Sequence, residues 1–162
     1  TKQAHTITDL KISQTDNNGK IKEYGNSLGL IIKKYFDPII DSELSILKNA
    51  LDKQSEPELQ KLTESALAYQ NSSREILELE VPIEFAENHL AVINAFEQIA
   101  TEISNMQKAF IDPVISLVAV KQYQNTSQTA YEALKNINNG FSNNNITFTK
   151  QEPGQVLAVY TP

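Results

Sequence analysis

Two imidazoles, His5 and His89, are the first side chains in this sequence that could do acid–base or metal chemistry. His89 sits in Glu87-Asn88-His89-Leu90, on the apolar side of a helix by its spacing. A helical metal pair places its second ligand four residues on, and position 93 is Ile. The residue therefore reads as a buried, hydrogen-bonded core histidine. A general base working beside Glu87 in a bundle cavity is the alternative. Four carboxylates, Glu78, Glu80, Glu84 and Glu87, crowd the break at Val81-Pro82. Such crowding can supply a paired acid and base; surface charge is the plainer reading. Asp16-Asn17-Asn18-Gly19 opens like a calcium loop but lacks the alternating acids and closing Glu that such a loop needs, so it reads as a turn. No Lys-Ser/Thr follows Gly25-Asn26-Ser27-Leu28-Gly29, which removes a phosphate loop. No Gly-x-Ser-x-Gly elbow is present, and without Cys there is no thiolate ligand, disulfide or Cys nucleophile. The sequence assigns no catalytic, cofactor-binding or metal-ligating residue.

The chain that would hold such groups has 162 residues, enough for one domain. A domain of this length buries roughly 70% of its unfolded surface, so no covalent staple is needed. With 14 basic and 20 acidic side chains the net charge is −6, which argues against unselective nucleic-acid binding. The charge is segmented: 6 Lys against 3 acids in residues 1–35, 5 basic against 15 acidic in 36–112, and 3 against 2 in 113–162. Head-to-tail self-association would exploit that polarity; a solvated face would also produce it. The 15 Asn and 12 Gln weaken helix propensity, so packing must hold the helices. The longest apolar run, Ile115 to Val120, falls far short of the roughly 20 residues of a membrane span. The first residue is Thr1 and the only Met is Met106. This reads as a trimmed start, by processing or by design; processing would imply an exported domain whose membrane contact lies upstream of Thr1, whereas a cut by design would leave the compartment open.

The elements follow from period and punctuation. Residues 1–18 read as a flexible lead-in, 19–145 as a helical bundle, and 146–162 as short strands and tail. Five helices are expected. The first carries Ile21, Tyr24, Leu28, Ile31, Ile32 and Tyr35, with Gly25 and Gly29 four apart to let another helix approach closely. Asp37-Pro38 should cap the second, with Ile39, Ile40, Leu44, Leu47 and Leu51 inward. Ser55-Glu56-Pro57-Glu58 opens the third, through Leu59 to Leu77. The fourth, Phe85 to Phe110, would be about 40 Å long. Asp112-Pro113 caps the fifth, whose stripe is Val114, Leu117, Val118, Tyr123, Ala130, Leu134, Ile137 and Phe141. Asn138-Asn139-Gly140 and Asn143-Asn144-Asn145 should close it. Ile146 to Thr149 alternates like a strand, with Val156 to Tyr160 or residues 6–12 as possible partners. The sequons at Asn71, Asn125 and Asn145 fit chance in so Asn-rich a chain, and only Asn145 falls in a loop. Lys34 to Ile40 and Lys108 to Ile115 share a local pattern that reads as two helix starts with the same cap chemistry rather than as a duplication.

Together, Tyr24-Gly25-Asn26-Ser27-Leu28-Gly29-Leu30, the breaks at Asp37-Pro38, Val81-Pro82 and Asp112-Pro113, His89 to Ala95, and Glu152-Pro153-Gly154 resemble a family of uncharacterised helical proteins of candidate-phyla bacteria. The resemblance covers residues 20 to 154 and implies an exported helical domain; it brings no activity or catalytic residue. The expectation is a mainly α protein, a five-helix antiparallel bundle with a short C-terminal β hairpin or strand. It would be extracellular or in the cell envelope and non-enzymatic. It would work by contact with a protein partner or with itself, in an envelope, filament or secretion assembly, without cofactor, metal or nucleic acid. The alternatives are a ligand-binding or enzyme domain with a cavity near His89, and an intracellular antitoxin-like partner protein.

Overall fold

The computed structural model describes residues 4–14, 17–37 and 42–160. Among these, six helices are present: α1 (Asn18–Phe36), α2 (Glu43–Lys53), α3 (Glu56–Gln60), α4 (Leu62–Leu77), α5 (Ala86–Met106) and α6 (Pro113–Asn143). Six replace the expected five because the third helix divides at Lys61. There the backbone keeps helical angles but its N–H bonds back to Glu58 and Leu59 instead of four residues back. Leu59 and Leu62, on either side, are both buried.

Cap chemistry sets most boundaries. The Asn17 side chain accepts from the Lys20 N–H at 3.0 Å and starts α1. The Asp112 carboxylate accepts from the Ile115 N–H at 3.0 Å and starts α6, with Pro113 in the first turn as expected. Asp37 closes α1 rather than opening the next helix, its N–H bonding to the Lys33 carbonyl. Pro38, Ile39, Ile40 and Asp41, the expected start of the second helix, lie outside the described residues, as does Asp16 of the turn. The described α2 is capped by Ser42 instead. Helix α6 runs through Asn138-Asn139-Gly140 and stops at the later Asn run. Asn145 takes a left-handed φ of 55°, the Ile146 N–H reaches the Phe141 carbonyl at 2.8 Å, and the Asn145 N–H reaches Ser142 at 3.0 Å.

Helix α5 is central, between α4 and α6. Gln107 bonds Thr63 at 2.7 Å, so the end of α5 meets the start of α4. Thr126 on α6 bonds Glu102 on α5 at 2.8 Å, and Asn136 bonds Asn88 at 3.2 Å, so α6 runs back along α5. These three long helices alternate in direction. Helix α1 breaks the alternation by running with α5: Tyr24 meets His89 near the starts of both, and Phe36 meets Phe96 further along. The fourth expected helix is shorter than its pattern, 21 residues or about 31 Å, because residues 107–111 form a turn.

No strand forms at the C-terminus among the described residues. Residues 146–149 form no helix or strand, and Pro153–Val159 is a 3-10 helix. The sheet that does form is parallel and small, β1 (Lys11–Ile12) against β2 (Glu80–Val81). Residues 4–14, read as a lead-in, are thus held to the bundle. His5 adds a backbone N–H to Asn94 at 2.8 Å and a ring contact with Glu97 at 3.2 Å.

The two α1 glycines do admit close packing, mainly of the C-terminal segment, with Phe141 of α6 also reaching Gly25. A Cβ on Gly25 would lie 2.4 Å from the Phe148 ring, and one on Gly29 2.3 Å from the Pro153 carbonyl oxygen. Asn26 accepts from the Gly154 N–H at 3.0 Å, and Lys22 pairs with Glu152 at 3.0 Å.

Candidate functional site

The residues with chemical potential are dispersed. His89 is fully buried, with Nδ1 3.0 Å from the Tyr24 hydroxyl. Phe85 and Phe141 pack on the same tyrosine. Burial pushes the imidazole down to about 4, offset only in part by the Ile76 carbonyl; Nε2 has no aligned hydrogen-bond partner. Glu87 is exposed two residues earlier. The four carboxylates of the β2 region do not converge: Glu78 pairs with Lys11, Glu84 bonds Asn144, and Glu80 and Glu87 face solvent. Among the described residues no group of His, Cys, Asp or Glu could hold a metal ion.

Sequence reasoning passed over one buried acid. Glu102 lies on α5 facing α6, 1% exposed. Its Oε1 accepts from Gln98 at 3.0 Å and from Thr126 at 2.8 Å, while Oε2 has no partner. Burial raises its pKa against those two hydrogen bonds. A second buried acid, Glu43, accepts from the Tyr123 hydroxyl at 2.8 Å. Beside it, Phe36, Tyr69, Phe96, Tyr131 and Tyr160 edge a cleft of about 190 Å³. Another cleft of about 190 Å³ runs between α4 and α5, lined by Thr63, Leu67, Gln70, Thr101 and Ser104 among others. Neither cleft includes His89 or Glu87.

The most distinctive surface is the end of the bundle where α5 turns into α6. Ser116 donates to the Met106 carbonyl at 3.1 Å, so residues 113–115 project past the end of α5. Inward positions there are small, Ser116 and Ala119, and bring α6 close to its neighbours. The large apolar residues face outward. Ile111 is 85% exposed, Val114 and Leu117 are each 71%, and Phe110, Ile115 and Val118 are about half exposed. Outward positions turn polar at Lys121 and stay so through Gln124, Asn125, Gln128 and Glu132. The expected stripe of the fifth helix is therefore wrong in three of its eight residues: Val114, Leu117 and Val118 are surface, and Phe110 of the preceding stripe is partly so. A signal was present. Stepping back by threes and fours from Phe141, Ile137, Leu134 and Ala130 lands on Tyr123, Ala119 and Ser116, a different phase from Val114 and Leu117.

These six side chains together expose on the order of 600 Å², the upper end of the largest single apolar patch on a typical monomer. Between Pro113 and Val120 there is no charged residue; Lys108, Asp112 and Lys121 form the rim. Among the described residues no helix is long and apolar enough to cross a membrane. No family model, curated protein or solved structure matches this chain.

Proposed function

We propose that this chain is a non-enzymatic helical domain that acts by protein–protein contact outside the cytoplasm, in the cell envelope or at its surface. The observation that carries the reading is the uncharged apolar end formed by Ile111, Val114, Leu117 and Val118. Exposing that much apolar surface is unfavourable unless something covers it. The buried polar groups, by contrast, serve structure: His89 joins α5 to α1 through Tyr24, Glu102 joins α5 to α6 through Thr126, and Glu43 joins α2 to α6 through Tyr123. Export is what the sequence resemblance over residues 20 to 154 would imply.

Site-specific photo-crosslinking in the source cells tests this. A crosslinker at Val114 should join the chain to a protein, while one at Gln128, exposed further along the same helix, should not. Protease added to intact cells or to a periplasmic fraction should reach the chain. A cytosolic location would overturn the compartment, and equal crosslinking at both positions would overturn the contact role of the α5–α6 end.

A further inference from the structure

We infer that the α5–α6 end pairs with the same end of a second copy of this chain about a two-fold axis. The inference rests on the contact reading above and names the partner. Area comes first. Two copies of a patch of on the order of 600 Å² bury about 1,200 Å², the lower limit for a specific protein–protein interface. A two-fold axis achieves this with one patch used twice, which is the commonest closed symmetry.

Charge is the second argument. No ionisable side chain lies between Pro113 and Val120, so superposing two such patches places no like charges at the centre. Lys108, Asp112 and Lys121 at the edge leave each copy two cations and an anion to meet the other's rim. Shape is the third. Val114, Leu117 and Val118, at i, i+3 and i+4, form a ridge on the outer face of α6, and such ridges pack into the grooves of an identical helix. An anionic bilayer is the less suitable cover, because the chain carries a net charge of −6 and residues 36–112 are strongly acidic. That same charge makes the copies repel at long range, so pairing should strengthen as salt screens it.

Sedimentation velocity and light scattering of the chain over about 1 to 500 µM, at low and high salt, test this. The expected result is a monomer–dimer equilibrium with a micromolar Kd that tightens as salt is added. Leu117→Asp and Val114→Asp should each weaken it tenfold or more with unchanged circular dichroism, since both positions are already exposed. Gln128→Asp should leave it unchanged. A monomer at every concentration, growth beyond two copies, or a dimer indifferent to Leu117→Asp would overturn the proposal. So would a monomer that binds phosphatidylglycerol vesicles through this end. A monomer that still crosslinks from Val114 to a different protein would overturn self-pairing and leave the contact role standing; loss of both would remove the two together.

Discussion

The Tyr24 hydroxyl lies 3.0 Å from Nδ1 of His89 across 65 residues of sequence, and both rings are shut off from solvent. The pair fastens α1 to α5 at the aromatic cluster formed with Phe85 and Phe141. Replacing Tyr24 by Phe keeps the ring and removes the hydroxyl, which leaves a second imidazole nitrogen unpartnered. The expected cost is about 1–3 kcal/mol, read by urea denaturation at pH 7.

His89 should also make stability pH-dependent on the acid side. Its folded pKa is near 4, below the ordinary imidazole value of 6.5. Between these values the unfolded chain binds the proton and the folded chain does not, so stability rises with pH across that window. The contribution is complete above about pH 6.5 and is lost as pH falls to 4, a change of about 3 kcal/mol. Denaturation midpoints taken every half pH unit should show the slope, and His89→Gln should flatten it.

Glu102 works in the opposite sense. Its folded pKa is raised by burial, so what the protonated carboxyl contributes is present at low pH and lost as pH rises through that value. Glu102→Gln keeps an oxygen to accept from Gln98 and Thr126 and removes the buried charge. At pH 7 it should raise stability by on the order of 1 kcal/mol, with the gain shrinking toward pH 4. Thermal melts of the two proteins across pH make the comparison.

Gly29→Ala reverses the usual helix expectation. Alanine ordinarily adds about 1 kcal/mol in a helix interior, but here its Cβ would meet the Pro153 carbonyl, backbone that cannot rotate away. A net loss of about 1–3 kcal/mol is expected, with faster amide exchange over residues 148–157 than in the parent. Unchanged exchange there would show that α1 does not hold the segment.

The long helices and the boundaries of α6 were legible because each rests on local chemistry: the period of α5, the Asp112 carboxylate before Pro113, the Asn run after Ser142. His89 was placed correctly because its phase on α5 matches Val92, Ile93 and Phe96. The parts that misled depend on what comes from elsewhere in the chain. Ile146 and Phe148 do point inward and Thr147 and Thr149 outward, giving a period of two. That pattern comes from an irregular segment lying on α1 and α6, not from a strand in a sheet. The β1–β2 pair is two residues on each side, too short for any alternation to announce it. Val114 and Leu117 were assigned to the core because apolar spacing says which residues share a face, not whether that face is covered. Glu102 was passed over because nothing in its neighbourhood distinguishes a buried acid from the exposed acids around it; only the Thr126 partner from α6 does.

The docking of Phe148, Pro153 and Gly154 onto Gly25 and Gly29 also bears on the order in which the fold assembles. Helix α1 is completed by a segment more than a hundred residues further along the chain. Contacts of that sequence separation must close a large loop before they offset its entropy. The glycine face of α1 is therefore a late seam of the fold and not its nucleus.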